Sequence, residues 1–138
     1  MMELSRSGLL LIAQFEACAL VPYPDPDAAH MAWGFGVQTP GAVPSWRMTF
    51  PEAVARFKEA LVPRVVSVNT FLKVGVTQGQ FDALVSIYYQ KGNAYAPIIV
   101  DAINDKSSGV ASSIFPYCAR NKDKIWKQGL YNRRLREQ

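Results

Sequence analysis

The sequence has few of the residues that bind metals or form disulfide bridges. Its 138 residues include only two cysteines, Cys18 and Cys118, and one histidine, His30. The cysteines lie far apart and form no C-x-x-C pair, so the sequence contains neither a zinc ribbon nor a thioredoxin-like motif. We expect no metal, no cofactor and two free thiols in a reducing compartment, with a disulfide between the two cysteines as the open alternative.

Long apolar runs, internal repeats and low-complexity tracts are also missing. The longest apolar stretch near the start, residues 8–13, is followed by Gln14 and Glu16. A membrane-spanning helix needs about 20 apolar residues, and a signal peptide needs a basic first segment and a cleavage site. We therefore expect no membrane insertion and no export signal. The length predicts one domain over residues 1–138, and we expect it to be a monomer.

Positive charge is concentrated at one end of the sequence. The formal net charge is +4, but residues 120–138 contain seven basic and two acidic side chains, which leaves residues 1–119 at −1. Such an end suits a polyanion: nucleic acid, anionic lipid or an anionic cell-wall polymer. A solvated basic helix is the simpler alternative. The absence of a recognised nucleic-acid-binding motif argues against nucleic acid as the partner.

The first part of the chain predicts one helix followed by a small sheet. Residues 5–17 read as a helix with Ser5 or Ser7 as N-cap. Prolines at 22, 24 and 26 then exclude helix, and the Gly-, Pro- and aromatic-rich stretch from Tyr23 to Pro44 predicts a hairpin. Within it, residues 31–37 are predicted to form a strand and turn.

The rest of the chain is predicted to be helical. Thr49 with Glu52 and Thr77 with Gln80 have the spacing of capping boxes, each followed by apolar residues on one helical face. Pro63 is expected to break or kink the first of these helices, with a second helix over 65–72. Further helices are predicted at 97–105, 109–119 and 129–137. The fold class is therefore α+β, mostly α, with one small β element near the N-terminus.

Two carboxyl groups near the start suggest acid–base chemistry. Glu16 ends an apolar helix beside Phe15 and Ala17, and such neighbours disfavour the charged form of a carboxyl. A general acid must hold its proton at neutral pH, so Glu16 suits that role. Asp25 follows in a polar, proline-rich loop where it would stay ionised. A pair of carboxyls in such different surroundings is typical of a glycosidase, although a surface Glu and a turn Asp give the same pattern.

The sequence resembles the phage T4-type lysozymes, the endolysin muramidases, along nearly its whole length. That family begins with a helix ending in Phe-Glu-Gly, then Tyr-x-Asp, then a strand of the type Thr-Ile-Gly-Tyr-Gly-His. It continues with a Gln-x-Asp-Ala-Leu helix, an aromatic-Asn/Gln-x-Gly step and a closing Gly-Leu-x-x-Arg-Arg-x-x-Glu. The matching segments here are Phe15-Glu16-Ala17, Tyr23-Pro24-Asp25, residues 32–37, residues 77–85, Tyr89-Gln90-Lys91-Gly92, and residues 129–137.

The resemblance implies a lysozyme-like fold with a small N-terminal sheet and a helical C-terminal lobe. It also implies hydrolysis of the β-1,4 bond between N-acetylmuramic acid and N-acetylglucosamine in bacterial peptidoglycan. Glu16 would protonate the glycosidic oxygen, and Asp25 would orient a water on the opposite face of the sugar. An enzyme of this kind would wait in the host bacterial cytoplasm before it reaches the cell wall, or it would travel in the virion.

Two positions depart from the family pattern. Ala32 replaces the threonine that helps to hold the attacking water, and alanine has no hydroxyl. Val37 replaces a histidine, so any ion pair of that histidine is lost. The interval from Asp25 to Ala32 is one residue longer than in the family, which makes Asp27 a rival for the role of Asp25. These departures favour an alternative: a lysozyme fold with weakened catalysis that binds cell wall or serves in the virion.

Further residues are candidates for contact with substrate. Tyr89 and Gln90 are predicted to bind the sugar chain, Tyr89 by stacking. His30 would supply a polar group near Ala32 if residues 30–33 form a strand, or else it is an exposed loop residue. Trp33, Phe35 and Tyr88 are assigned to the core. Asp82 is expected to have a structural or capping role.

Overall fold

The computed structural model describes residues 1–24, 31–39, 47–91 and 96–105. Within these ranges the chain forms four helices and one three-stranded sheet. The predicted class, α+β and mostly α, is confirmed. The predicted helices at 109–119 and 129–137 lie outside the described residues, as do Asp25, Asp27, His30 and Cys118. No helix in the described part is long and apolar enough to cross a membrane.

The first helix, α1, spans Arg6–Glu16 and has the predicted N-cap. The hydroxyl of Ser5 accepts a hydrogen bond from the backbone N–H of Gly8, which satisfies one of the free donors of the first turn. Ile12 is fully buried in the core, whereas Leu10 lies on the exposed face. Helix α1 therefore packs through one apolar stripe and ends at Glu16.

The sheet follows directly and is antiparallel throughout. Strands β1 (Ala19–Pro24), β2 (Met31–Gly34) and β3 (Val37–Gln38) lie in the order β1-β2-β3. Tyr23 pairs with Ala32, and a β-bulge or irregularity separates this pair from the pairing at Ala19. Because β1 lies at the edge of this sheet, its two prolines are tolerated.

The second helix, α2, is a single element over Phe50–Phe71. It begins with the predicted capping box, in which Thr49 and Glu52 bond reciprocally through side chain and backbone. The prediction that Pro63 breaks or kinks this element is wrong in one part. The helix does not break, and residues 65–72 do not form a second helix. Proline has no backbone N–H, so the carbonyl of Glu59, one turn before Pro63, loses its partner in the helix. Both Glu59 and Pro63 are exposed, so water can solvate that carbonyl.

The last two described helices complete the core. Helix α3 (Gln78–Lys91) begins with the predicted Thr77–Gln80 box, and α4 covers Ala96–Asn104, close to the predicted 97–105. The central part of α3 is buried on all sides from Phe81 to Tyr88. The core assignments of Trp33, Phe35 and Tyr88 are confirmed.

A buried carboxylate joins α1 to α3. Asp82, 6% exposed, accepts hydrogen bonds from the backbone N–H of Ser5 (3.0 Å), from the Ser5 hydroxyl and from the side-chain amide of Gln78 (2.9 Å). A Cβ on Gly8 would lie 2.5 Å from the Asp82 carboxyl carbon, so only glycine permits this approach. The predicted structural role of Asp82 is confirmed, and the start of α1 is fixed on α3.

Candidate active site

Glu16 is the last residue of α1, and its carboxylate lies against the turn between β2 and β3. A Cβ built on Gly36 would lie 2.9 Å from Glu16 Oε2, which is closer than a carbon and an oxygen normally approach. Gly36 also has a φ of +74°, in the left-handed region that favours glycine. The glycine therefore serves two purposes here: it makes the turn, and it leaves room for the carboxylate.

The turn itself is fixed by aromatic residues and one hydrogen bond. The ring of Phe35 lies 4.8 Å from that of Phe57 and 6.2 Å from that of Phe50, centroid to centroid. The hydroxyl of Tyr89 donates a hydrogen bond to the carbonyl oxygen of Phe35 at 2.7 Å. The Tyr89 ring meets Phe57 edge-on at 5.4 Å. The turn that faces Glu16 is thus attached to α2 through rings and to α3 through a hydroxyl.

Ala17, directly after Glu16, has a backbone conformation that alanine rarely adopts. Its φ is 54° and its ψ is −178°, a combination that is nearly confined to glycine. The phage T4-type lysozymes that the sequence resembles have glycine at this point of the Phe-Glu-Gly motif. Reasoning from sequence gave no weight to this departure, although the family's glycine was the signal that could have revealed it. The strained residue lies in the short connection between Glu16 and strand β1.

The structure brings some of the predicted site residues together. Tyr89 and Gln90 lie side by side in the last turn of α3, both half-buried, and Tyr89 reaches the turn that Glu16 contacts. The predicted positions of Asp25 and His30, and of the rival Asp27, cannot be added to this geometry because those residues lie outside the described ranges. The contact from Tyr89 to Phe35 links residues 54 positions apart, and local sequence patterns gave no sign of it.

Two of the departures from the family pattern, Ala32 and Val37, lie on neighbouring strands. Ala32 is 1% exposed in β2, where it pairs with Tyr23 on one side and Gln38 on the other. Val37 begins β3 and packs against the hydrophobic core. Thus the residue that replaces the threonine contributes only a buried methyl group, and the residue that replaces the histidine contributes to packing.

Trp33 and Cys18 are two further groups at this end of the sheet, where Ala19 pairs with Gly34. Trp33 is buried beneath the guanidinium of Arg56, which lies 5.1 Å from the ring centroid. The residue Cys18 is exposed and its thiol is free, as predicted for it, whereas Cys118 lies outside the described residues. Partial desolvation raises the pKa of the Cys18 thiol, which lowers its reactivity. Among the described residues, no three His, Cys, Asp or Glu side chains are grouped so that they could hold a metal ion.

Sequence relatives match along nearly the whole chain. The endolysin of Bacillus phage PZA is 34% identical over 140 residues, which cover 99% of this chain and 54% of that protein. The endolysin of Lactococcus phage c2 is 30% identical over 139 residues, covering 99% of this chain and 58% of that protein. The chain therefore spans just over half the length of these relatives.

Solved structures match the fold closely. The muramidase domain of SpmX from Asticaccaulis excentricus superposes with a TM-score of 0.88 at 26% identity, covering 99% of this chain and 95% of that one. The endolysin from Escherichia coli O157:H7 phage FAHEc1 superposes with a TM-score of 0.87 at 28% identity, covering 99% of this chain and 90% of that one. The lysozyme-like fold implied by the sequence motifs is confirmed.

The family model for phage lysozyme matches residues 13–137, from the middle of α1 to the penultimate residue. This range includes Glu16, the glycine turn that it contacts, and the α3 residues that hold the turn. On the strength of that match, the chain belongs to the phage lysozyme family.

Proposed function

We propose that this chain is a muramidase that hydrolyses the β-1,4 bond between N-acetylmuramic acid and N-acetylglucosamine in bacterial peptidoglycan. The observation that carries the proposal is the position of Glu16. Its carboxylate stands at the end of helix α1 against the glycine turn of the sheet, in a chain of the phage lysozyme family. The turn fixes one side of the carboxyl, as is required of a group that must deliver a proton to one atom of a bound substrate.

In the proposed reaction Glu16 donates its proton to the glycosidic oxygen while the bond from that oxygen to the anomeric carbon breaks. A water molecule attacks the anomeric carbon from the opposite face of the sugar and gives its proton to Asp25, so the configuration inverts. Inverting enzymes separate the two carboxyl groups by about 6.5–9.5 Å to leave room for this water. Asp25 is assigned here from its place in the Tyr-x-Asp motif, with Asp27 as the alternative.

The substrate contacts proposed for this site come from three residues. The ring of Tyr89 offers a face for a sugar, Gln90 offers an amide for its polar groups, and His30 supplies a polar group near Ala32. The basic residues after position 119 would add attraction to an anionic wall. We propose that the protein acts as a monomer, either held in the host cytoplasm until it is released to the wall or carried in the virion.

The first experiment compares the chain with Glu16→Gln on purified peptidoglycan, with release of muropeptides as the readout. The substitution keeps the shape of the side chain and removes its titratable proton. We expect turnover to fall by a factor of roughly 10² to 10⁴, because a general acid contributes about that much. Thermal melting should stay close to that of the wild type, which separates lost chemistry from lost folding.

A matched pair of variants then assigns the second carboxyl. Asp25→Asn and Asp27→Asn make the same chemical change two residues apart. We expect Asp25→Asn to reduce turnover more. If Asp27→Asn is the more damaging, the roles of the two aspartates in the proposal are exchanged.

Ala32 favours a second candidate function, a peptidoglycan-binding module with little or no catalysis. The strand position where related lysozymes carry a water-holding hydroxyl has only a buried methyl group here. Turnover by the wild type at the level of Glu16→Gln, with peptidoglycan binding retained by both, would establish this candidate and reject the muramidase. In an active wild type, Ala32→Thr is expected to raise the rate.

A further inference from the structure

We infer that the hydroxyl group of Tyr89 positions the proposed general acid by holding the turn against which Glu16 packs. This role differs from the sugar stacking predicted for the Tyr89 ring, and it rests on the proposed function for its effect on catalysis. Tyr89 acts through Phe35 and Gly36 and need not touch the substrate to do so. It is therefore a positioning residue.

The first step of the argument is the hydrogen bond itself. The Tyr89 hydroxyl donates to the carbonyl oxygen of Phe35 at 2.7 Å, in a partly buried place. A carbonyl that loses such a partner away from water is left unsatisfied, and the backbone shifts to recover one. The bond joins the last turn of α3 to a turn of the sheet that is only two residues long.

The second step is the contact between this turn and Glu16. The next residue after Phe35 is Gly36, and the space beside its Cα is so narrow that a Cβ would reach 2.9 Å from Glu16 Oε2. A close contact of this kind transmits displacement, because the carboxyl cannot stay where it is if the turn moves toward it. If the turn moves away, the carboxyl loses the surface that fixes one side of it.

The third step is the difference between what the ring of Tyr89 holds and what its hydroxyl holds. The ring of Tyr89 already packs edge-on against Phe57, and Phe57 packs against Phe35, so the rings alone hold the Phe35 side chain. The hydroxyl holds the Phe35 carbonyl from α3. Tyr89→Phe therefore removes the backbone attachment and leaves the ring in place for packing and for any contact with a sugar.

The neighbouring residue provides a matched control. Tyr88 precedes Tyr89 on the same helix and is 2% exposed, but its hydroxyl has no hydrogen-bond partner among the described residues. Tyr88→Phe makes the same chemical change one residue away, without releasing the turn. A general effect of losing a hydroxyl from α3 would appear in both variants, and the positioning effect only in Tyr89→Phe.

The test measures kcat and KM on soluble peptidoglycan strands for wild type, Tyr89→Phe, Tyr88→Phe and Glu16→Gln. It also records the ¹³C shift of the Glu16 carboxyl and the amide shift of Gly36 at one fixed pH. We expect Tyr89→Phe to lower kcat about tenfold with KM nearly unchanged, since small misplacements of a reacting group are costly. Both NMR signals should move in Tyr89→Phe and stay in place in Tyr88→Phe.

The outcomes separate this inference from the proposed function. An unchanged kcat in Tyr89→Phe, or a raised KM with kcat intact, would overturn the positioning role while the muramidase stands. If the wild type shows no turnover above Glu16→Gln, the muramidase proposal fails and the NMR signals decide the positioning role. Their movement in Tyr89→Phe alone would then support that role, and their constancy would overturn it.

Discussion

The two ends of helix α1 differ in how they are held. At its start, Ser5 donates hydrogen bonds to Asp82 of α3 from its N–H and its hydroxyl, and the same hydroxyl accepts one from the N–H of Gly8. At its end, Glu16 meets a glycine turn, and Ala17 has a strained backbone. Strain of this kind persists only where the surroundings enforce it, and it concentrates at functional sites. The first end of α1 therefore supplies stability, and the second end uses some of it.

Helix α3 contacts both ends of this arrangement. Asp82, near its beginning, holds the start of α1, and Tyr89, two turns later, holds the turn that faces the end of α1. The acidic side chain is thus located by one helix acting at two points. Substitutions at the two ends are therefore expected to have different consequences, first for stability and then for activity.

The largest effect on stability is expected from Gly8→Ala. A methyl group there would lie 2.5 Å from the Asp82 carboxyl carbon, so either the helices must separate or the carboxylate must leave its hydrogen bonds. We expect a loss of about 2–3 kcal/mol, measured by urea or thermal unfolding.

The control for this variant is Gly79→Ala, in the exposed first turn of α3. No described atom lies within 4 Å of a Cβ at Gly79. There the methyl group should be neutral or slightly stabilising, because alanine suits a helix better than glycine. Equal losses in the two variants would show that the α1–α3 contact is not specially close.

An effect of opposite sign is expected from Ala17→Gly. Glycine adopts the observed backbone angles without the clash that a Cβ causes, although it loses more chain entropy on folding. We expect a net gain of about 1 kcal/mol, or roughly 4 °C in Tm, read from thermal unfolding. A lower Tm than that of the wild type would mean that the end of α1 is not strained, and the contrast between the two ends would fail.

The smallest effect is expected from Tyr88→Phe, because the hydroxyl that it removes bonds to no described residue. Removing a buried hydroxyl that has no described partner should raise stability by about 0.5–1 kcal/mol. Burial, and then the charge of Asp101, raise the pKa of Tyr88 in the folded protein. The unfolded chain therefore releases this proton first, at about pH 10, and the native state loses stability as the pH rises from there through the folded pKa.

Unfolding measured between pH 8 and pH 11 tests this last prediction. The loss of stability above about pH 10 should be smaller in Tyr88→Phe than in the wild type. Parallel curves would show that the Tyr88 hydroxyl is solvated in the native protein.

Local signals in the sequence predicted most of the described elements. Each capping box, at Thr49 and at Thr77, consists of two residues three positions apart, and helices α2 and α3 begin there. The prediction of a break at Pro63 was wrong because the rule that proline breaks a helix takes no account of the helix's surroundings. In the folded protein the affected turn of α2 faces solvent, and the helix continues.

The candidate site was predictable in part. Glu16 could be chosen from its place at the end of an apolar helix and from the motif around it. Its contact with Gly36 and the bond from Tyr89 to Phe35 depend on how separate elements pack, and no local pattern encodes them. The predicted catalytic roles of Glu16 and Asp25 stay predictions, as do the predicted substrate contacts of Tyr89, Gln90 and His30.

The two prolines of β1 have a consequence for how the protein behaves at high concentration. β1 forms one edge of the sheet and is six residues long, while the opposite edge, β3, has only two. An exposed edge invites an extended segment of another chain to add as a further strand, which is how many aggregates begin. Pro22 and Pro24 have no N–H to offer such a segment. We therefore expect this sheet to resist growth by strand addition, so that many copies can accumulate side by side without joining edges.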